Sequence, residues 1–467
     1  MPKNKLMKIV LSSLAFTLGA SQAQAYTVQE AVAYTLQTSP DLLISVNVRE
    51  QANKEFRDAY ADYLPTIDVS GGQGLENTDN STTRAGRFDV NTSRTLTRRE
   101  FALTASQLLF DGFGVMHNVE GKKSRVKAAS LRVNSDSQDV ALQVVEEFIQ
   151  IQLSKNVLAV AQDNLNAHQS IFGQIEKRSE GGIGRKADSD QAIGRLARAR
   201  SNVLGAQANL RDAETAFLRT VGIYPSNLDY PGRPSHSFPA SLDEAINIAV
   251  SNNPELLATH HDVDVTKSEY RSARSLFVPR VALDAGIQRN HNVDGAKGDN
   301  DKNFAMLRFT WNVFRGGGDV ANLCRIAYKN QEAQEVRNRA YRQVVEQVRF
   351  AWVLYETAVN QLVHLKTHRD ASLRTREAYQ KQFNIGQRTL LDLLDSENEQ
   401  FTASTDYLRG EADVLTGMYR VLNAMGVITQ YLGVAMPKSS SMVPDAMFDG
   451  SGPFFDKSSR AFDDDCV

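Results

Sequence analysis

Two hydrophobic rhythms divide the chain. In one, alanines fall every seven residues at Ala192, Ala199, Ala206 and Ala213, interleaved with Leu196, Val203, Leu210 and Phe217. Alternating steps of three and four residues form the seam of paired helices, and alanine in that seam lets the backbones approach closely. Tyr341, Val345, Val348, Trp352, Tyr355, Val359 and Leu362 repeat the pattern, as do Leu394, Phe401, Leu408, Leu415 and Leu422. From Asp319 to Phe383 no proline or glycine interrupts the run, which predicts a single helix on the order of 95 Å long. In the other rhythm the period falls to two. Val281, Leu283, Ala285 and Ile287 oppose Asp284 and Gln288, and Leu307, Phe309, Trp311 and Val313 alternate with Arg308, Thr310 and Asn312. Ile67 and Val69, then Phe101, Leu103 and Ala105, alternate in the same way. Such strands have one apolar and one polar face. They suit a half-buried sheet or a lipid-facing, water-lined barrel.

The pattern occurs twice. Residues 27–32 resemble 241–246, Pro40-Asp-Leu-Leu matches Pro254-Glu-Leu-Leu, Pro65 matches Pro279, and Phe110-Asp-Gly-Phe-Gly matches Phe314-Arg-Gly-Gly-Gly. Ile183-Gly184 matches Ile385-Gly386. Internal duplication of this kind sets the whole architecture. The expected division is a first repeat at 26–223, a Pro-rich linker at 224–240, a second repeat at 241–435 and a disordered acidic tail at 436–467. Each repeat holds a short helix, a helix opened by proline, two strands and a long helical hairpin. The glycines at 112, 114 and 316–318 read as turns from strand to helix, since no G-x-x-x-x-G-K-[ST] phosphate loop is present.

Lys3, Lys5 and Lys8 precede an apolar run that ends at Ala23-Gln24-Ala25, the layout of a secretory signal peptide over residues 1–25. No later stretch offers about 18 consecutive apolar residues, so no membrane-crossing helix is expected. The two cysteines, Cys324 and Cys466, lie far apart and suggest no disulfide framework. A net charge of −2 argues against a nucleic-acid partner. His364 and His368 have a metal-compatible spacing, but no H-E-x-x-H motif accompanies them. No G-x-S-x-G nucleophile motif appears either. Neither an enzyme nor a cofactor is expected.

Four amphipathic strands cannot close a transmembrane barrel, because the smallest hold eight. Eight strands from two chains would fill their interior with side chains, whereas three chains would leave a lumen. The helical hairpins would extend that barrel as a tube, with bends at Gly181–Gly184 and Asn384–Gly386. After the second bend come Arg388, Asp392 and Asp395, and the two carboxylates three residues apart share one helix face.

The duplicated unit, the Phe-x-Gly-Gly-Gly turn and the segment 384–395 (Asn-Ile-Gly-Gln-Arg-Thr-Leu-Leu-Asp-Leu-Leu-Asp) resemble the TolC family of outer-membrane channel-tunnels over nearly all of residues 26–435. The resemblance implies an α+β membrane protein in the outer membrane. It would be a homotrimer with a 12-stranded β-barrel, four strands per chain, continued by an α-helical periplasmic tunnel. It implies docking to a periplasmic adaptor protein and an inner-membrane transporter. The segment 384–395 is more similar to the type I secretion branch, whose transporter is ATP-driven (an ABC transporter). A multidrug efflux channel with a proton-driven pump is the alternative, and a soluble periplasmic coiled-coil adaptor a more distant one. By position, Asp392 and Asp395 match the aspartate rings of the tunnel entrance. Arg388 matches a latch arginine that reaches a neighbouring chain's hydroxyl at the position of Ser189. Asp190 matches an aspartate that pairs with a tyrosine, but that position here is Phe383, which lacks the hydroxyl. Gly184, Arg185, Gly386 and Gln387 mark the hairpin tips expected to meet the adaptor.

Overall fold

The computed structural model describes residues 26–85, 93–181, 185–225, 227–234 and 238–443. The expected signal peptide, Gly184, Cys466 and the terminal aspartates lie outside them. Two runs of elements follow the same order. The first comprises α1 (Val28–Thr38), α2 (Pro40–Ala61), β1 (Thr66–Thr78), the single turn α3 (Ser81–Arg84), β2 (Arg94–Phe110), α4 (Gly114–Glu180) and α5 (Lys186–Val221). The second comprises α6 (Leu242–Asn252), α7 (Pro254–Ala273), β3 (Arg280–His291), β4 (Asp299–Thr310), α8 (Gly318–Asn384) and α9 (Leu390–Ala424), followed by the short α10 (Ile428–Tyr431).

Local chemistry sets these boundaries. Thr27 caps α1 in a reciprocal box with Glu30, and Ser241 accepts from the Glu244 amide at the start of α6. Pro40 and Pro254 open α2 and α7, where a missing amide proton costs nothing. At the strand-to-helix turn Gly112 has φ 71°, and a Cβ there would lie 1.9 Å from Val278 Cγ2. The position therefore demands glycine both by conformation and by space. Helices α4 and α8 each run 67 residues, about 100 Å.

The four strands form one antiparallel sheet in the order β1-β2-β3-β4. Register aligns the faces across repeats. Val69, Leu103 and Ile287 stand side by side; Ile67, Ala105 and Ala285 form the next row, and Leu283 faces Leu307. Ile67 and Leu307 are each 68% exposed in the single chain. The opposite face carries Asp68, Thr104, Ser106, Asp284 and Arg308. There Ser106 Oγ donates to Asp284 at 2.7 Å and Arg308 Nε donates to it at 2.5 Å. Trp311 and Val313, expected to continue the last strand, lie beyond its end at Thr310 in irregular chain. Like Phe110, Phe113, Phe277 and Phe314, they are exposed where the strand ends lead into the helices, and Phe110 and Phe113 meet edge-on. Strand β3, Arg280–His291, rises about 37 Å, or about 29 Å of membrane at a 40° tilt, enough to cross an outer-membrane apolar band.

At the other end of the sheet the two hairpin loops interlock. Asn80 Nδ2 donates to the Asp294 carbonyl at 2.7 Å, and Arg98 bonds Glu76 at 3.0 Å and also Glu100. Thr83 is buried against Gly295, where a Cβ would sit 2.4 Å from Thr83 Cγ2.

The largest core lies midway along the long helices, where α1, α6 and α10 pack around α4, α8 and α9. Phe148, Phe217, Val344, Val348 and Leu422 meet there. The expected seam of α5 is buried at Ala192, Leu196, Ala199, Val203, Ala206, Ala213 and Phe217. The expected seam of α8 is displaced at three of its seven positions. Val348, Trp352, Tyr355 and Leu362 pack inward as expected, but Val344, Ala351 and Ala358 are buried in place of Tyr341, Val345 and Val359. On α9, Gly410 makes room for Leu362 and Leu365 and Gly417 for the Tyr355 backbone, whereas the larger Val414 and Met418 pack with the small Ala358. Large side chains of one helix thus meet small ones of the other.

The linker is also packed. Phe238 stacks on Trp352 at 6.1 Å and the Gly232 carbonyl accepts from the Tyr419 hydroxyl at 3.0 Å. Of the tail expected from residue 436, the described part packs back on the helices, and the Val443 carbonyl accepts from Arg49 at 3.2 Å. A Cβ on Gly417 would lie 2.9 Å from the Tyr355 Cα. Gly417→Val should therefore destabilise the α8–α9 pair by about 1–3 kcal/mol, measured by denaturant titration of the detergent-solubilised protein.

Candidate functional site: the hairpin tips

The second tip is built on Gly386, whose φ of 78° lets the chain reverse between α8 and α9. The Gly386 amide donates to the Phe383 carbonyl and the Gln387 amide to the Gln382 carbonyl, closing the end of α8. Residues 384–389 are exposed. Thr389 then caps α9. Its hydroxyl accepts from the Asp392 amide at 3.2 Å and donates to the Asp392 carboxylate at 2.8 Å. Asp392 thus sits in the first turn of α9, where the helix dipole favours a negative charge.

Arg388 stays within its own hairpin. Its Nε donates to Gln382 Oε1 at 2.9 Å, its guanidinium lies 4.2 Å from the Tyr379 ring centre, and Nη1 comes 3.7 Å from Asp392. Asp395 takes a partner that sequence reasoning missed: Arg195 on α5 donates to it at 2.7 Å. Half-exposed pairs of this kind contribute about 0.2–1 kcal/mol each.

Phe383 is 4% exposed, packed with Ile171, Ile175, Leu390, Leu393 and Leu394. Arg178 of α4 sits over its ring at 5.0 Å. On the first hairpin, Arg185 precedes α5 and its carbonyl accepts from the Asp188 amide at 3.0 Å. Ser189 is half-buried and Asp190 exposed. Within the single chain, neither is brought to Arg388 or Phe383 by a hydrogen bond or ion pair among the described residues. Arg185, Gly386 and Gln387 all lie exposed at the tips.

One turn further along α9 lies a buried polar layer. Glu397 is 2% exposed and stands 3.3 Å from Arg376 Nε, while its carbonyl accepts from Asn164. Burial pushes its carboxyl above the usual glutamate range, and Arg376 offsets part of that. His168, also buried, is held below the usual histidine range by burial and then by Arg195. His368 contacts Glu399 at 2.8 Å. Among the described residues no three His, Cys, Asp or Glu side chains cluster as metal ligands, and no helix is long and apolar enough to cross a membrane.

A four-stranded sheet with one apolar face, continued by helical hairpins about 100 Å long, defines the class: a β-barrel subunit carrying a helical tunnel wall. The chain belongs to the outer membrane efflux protein family, whose profile matches residues 31–222 and 245–427. It is similar to the outer membrane efflux protein BepC of Brucella suis, 23% identical over 69% of this chain and 71% of that protein. It is 22% identical to the alkaline protease secretion protein AprF of Pseudomonas aeruginosa, over 85% of this chain and 83% of the relative. Among solved structures, the Campylobacter jejuni CmeC outer membrane channel superposes with a TM-score of 0.74 at 15% identity, covering 86% of each chain. The fold is that of the TolC-like channels, and the protein resides in the outer membrane with its helical part in the periplasm.

Glu397 also sets a pH expectation. A carboxyl with a raised folded-state pKa contributes stability that is fully present below its ordinary value and is lost as pH rises through the raised one. Denaturant resistance should therefore fall as pH rises above the ordinary glutamate value of about 4.3, and less so in Glu397→Gln. Parallel titrations of the two proteins check the difference.

Proposed function

We propose that three copies of this chain form a 12-stranded barrel and a continuous periplasmic tunnel. In this reading the trimer is the exit duct of a type I secretion system, with an adaptor and an ATP-driven inner-membrane transporter. The observation that carries the trimer is the state of the sheet: β1 and β4 are both open edges whose flanking faces are apolar. Unpaired backbone groups are not tolerated in hydrocarbon. Pairing β4 of one chain with β1 of the next removes every edge and turns the face bearing Asp68, Asp284 and Arg308 toward water. Exposed apolar residues on α8, Phe350, Val353, Leu354 and Val363, supply a surface for a neighbouring chain.

At the periplasmic end, the rings of Asp392 and Asp395 would select cations and bind multivalent ones. Like charges about 8 Å apart cost roughly 2 kcal/mol at an effective dielectric of 20, so a bound cation relieves the ring. Arg388, now held by Gln382 and Tyr379, would reach Ser189 of a neighbour to keep the tip closed. Asp190 and Phe383 cannot form the equivalent hydroxyl bond. Gly184, Arg185, Gly386 and Gln387 would present the tips to the adaptor. The 384–395 segment supports secretion over drug efflux, and one relative, AprF, is assigned by its own name to protease secretion.

Asp392→Ala with Asp395→Ala should lower cation selectivity and abolish block by trivalent cations in planar bilayers; parent-like behaviour would refute the ring. A deletion strain should lose one or a few large secreted proteins while its antibiotic susceptibility changes little. Hypersensitivity to dyes and antibiotics with an intact secretome would replace export with drug efflux.

A further inference from the structure

We propose that Arg195 is a positioning residue that clasps the first helical hairpin to the second through Asp395, and that this clasp holds the tip closed where the family's tyrosine bond is absent. The inference rests on the reading of the tip as the constriction of the tunnel. Arg195 and Asp395 lie on the return helices of the two hairpins, α5 and α9, and meet at 2.7 Å. A second, independent contact spans the same pair of hairpins: Arg178 of α4 stands over the ring of Phe383 on α8. Two cations of the first hairpin thus grip the second on both of its helices, one through a carboxylate and one through an aromatic face. Phe383, which cannot donate a hydrogen bond to Asp190, serves instead as the seat for Arg178. Beside the two grips lie apolar contacts of Ile171 and Ile175 with Leu390, Leu393 and Leu394. These give adhesion without fixing the angle between the hairpins.

The pairing also separates the two aspartates by role. Asp392 is bonded within its own helix start and lies only 3.7 Å from Arg388. Asp395 faces a guanidinium of the other hairpin. Both belong to the charged rings, and Asp395 sets closure as well. Neutralising Asp392 should change which ions pass, and neutralising Asp395 should also change how easily the tip opens.

The test uses the full-length protein in planar bilayers, with Arg195→Gln, Asp395→Asn, the double variant, the swap Arg195→Asp with Asp395→Arg, and Asp392→Asn. The clasp predicts at least a twofold rise in single-channel conductance for Arg195→Gln and for Asp395→Asn, with no further rise in the double variant. The swap should return conductance toward the parent, which a merely structural role for either residue would not produce. Asp392→Asn, which leaves the Arg195–Asp395 pair in place, should lower cation selectivity without the rise in conductance expected of Asp395→Asn. Additive effects of the two single substitutions, or parental conductance in both, would overturn the clasp. If Asp392→Asn still alters selectivity in that case, the tip remains the constriction and only the clasp has failed. Parental behaviour in all five variants would overturn the constriction itself and the clasp with it.

Discussion

The open backbone edges of β1 and β4 are the constraint on which the rest of the architecture depends. A strand in hydrocarbon must pair on both sides, and this chain pairs only the inner sides of its sheet. Its sequence is therefore written for an assembly. The apolar rows from Ile67 to Leu307 are surplus in a lone chain and useful once lipid surrounds a closed barrel. The same holds for the long helices, which form a wall rather than a bundle with a private core. Their main shared core lies halfway down, where α1, α6, α10 and the linker brace α4, α8 and α9.

Below that brace, stability comes from thin seams. Alanines in α5 and glycines in α9 bring helix axes together, so each turn contributes little buried area but much geometric definition. The tip adds a small apolar cluster and then charge: Arg178 over Phe383, Arg195 on Asp395, Arg376 beside Glu397. A helix pair held by narrow apolar seams and half-exposed ion pairs can part at its end without disturbing the brace above. Local opening of this kind draws on regions with few buried contacts.

Much of this was legible in the chain because period and punctuation carried it. Strand alternation, the heptads of α5, the prolines at 40 and 254 and the turn at Gly386 all record local chemistry. The seam of α8 was legible only in part, because that helix offers two competing stripes. Tyr341, Val345 and Val359 look more hydrophobic than Ala351 and Ala358, yet the smaller residues are buried, Ala358 against the bulk of Val414 and Met418. Arg195 was invisible for a different reason. Its partner lies in the other repeat, on a helix related to its own only through folding, and an arginine on an exposed-looking helix face carries no local signal. The packing of the stretch up to Val443 likewise depends on a contact with Arg49, which sequence spacing could not reveal.

The interlocked loops beyond the sheet have a consequence for how this protein can change over generations. Surface loops ordinarily accept insertions and substitutions freely, and that freedom is how exposed proteins drift away from whatever recognises them. Here Thr83 of one loop is buried against Gly295 of the other, and Asn80 bonds the Asp294 carbonyl. An enlarged residue at Gly295 displaces Thr83, and a lengthened first loop pulls Asn80 from its acceptor. The two loops are bound to evolve as a pair, so relatives that differ in one should carry a matching change in the other.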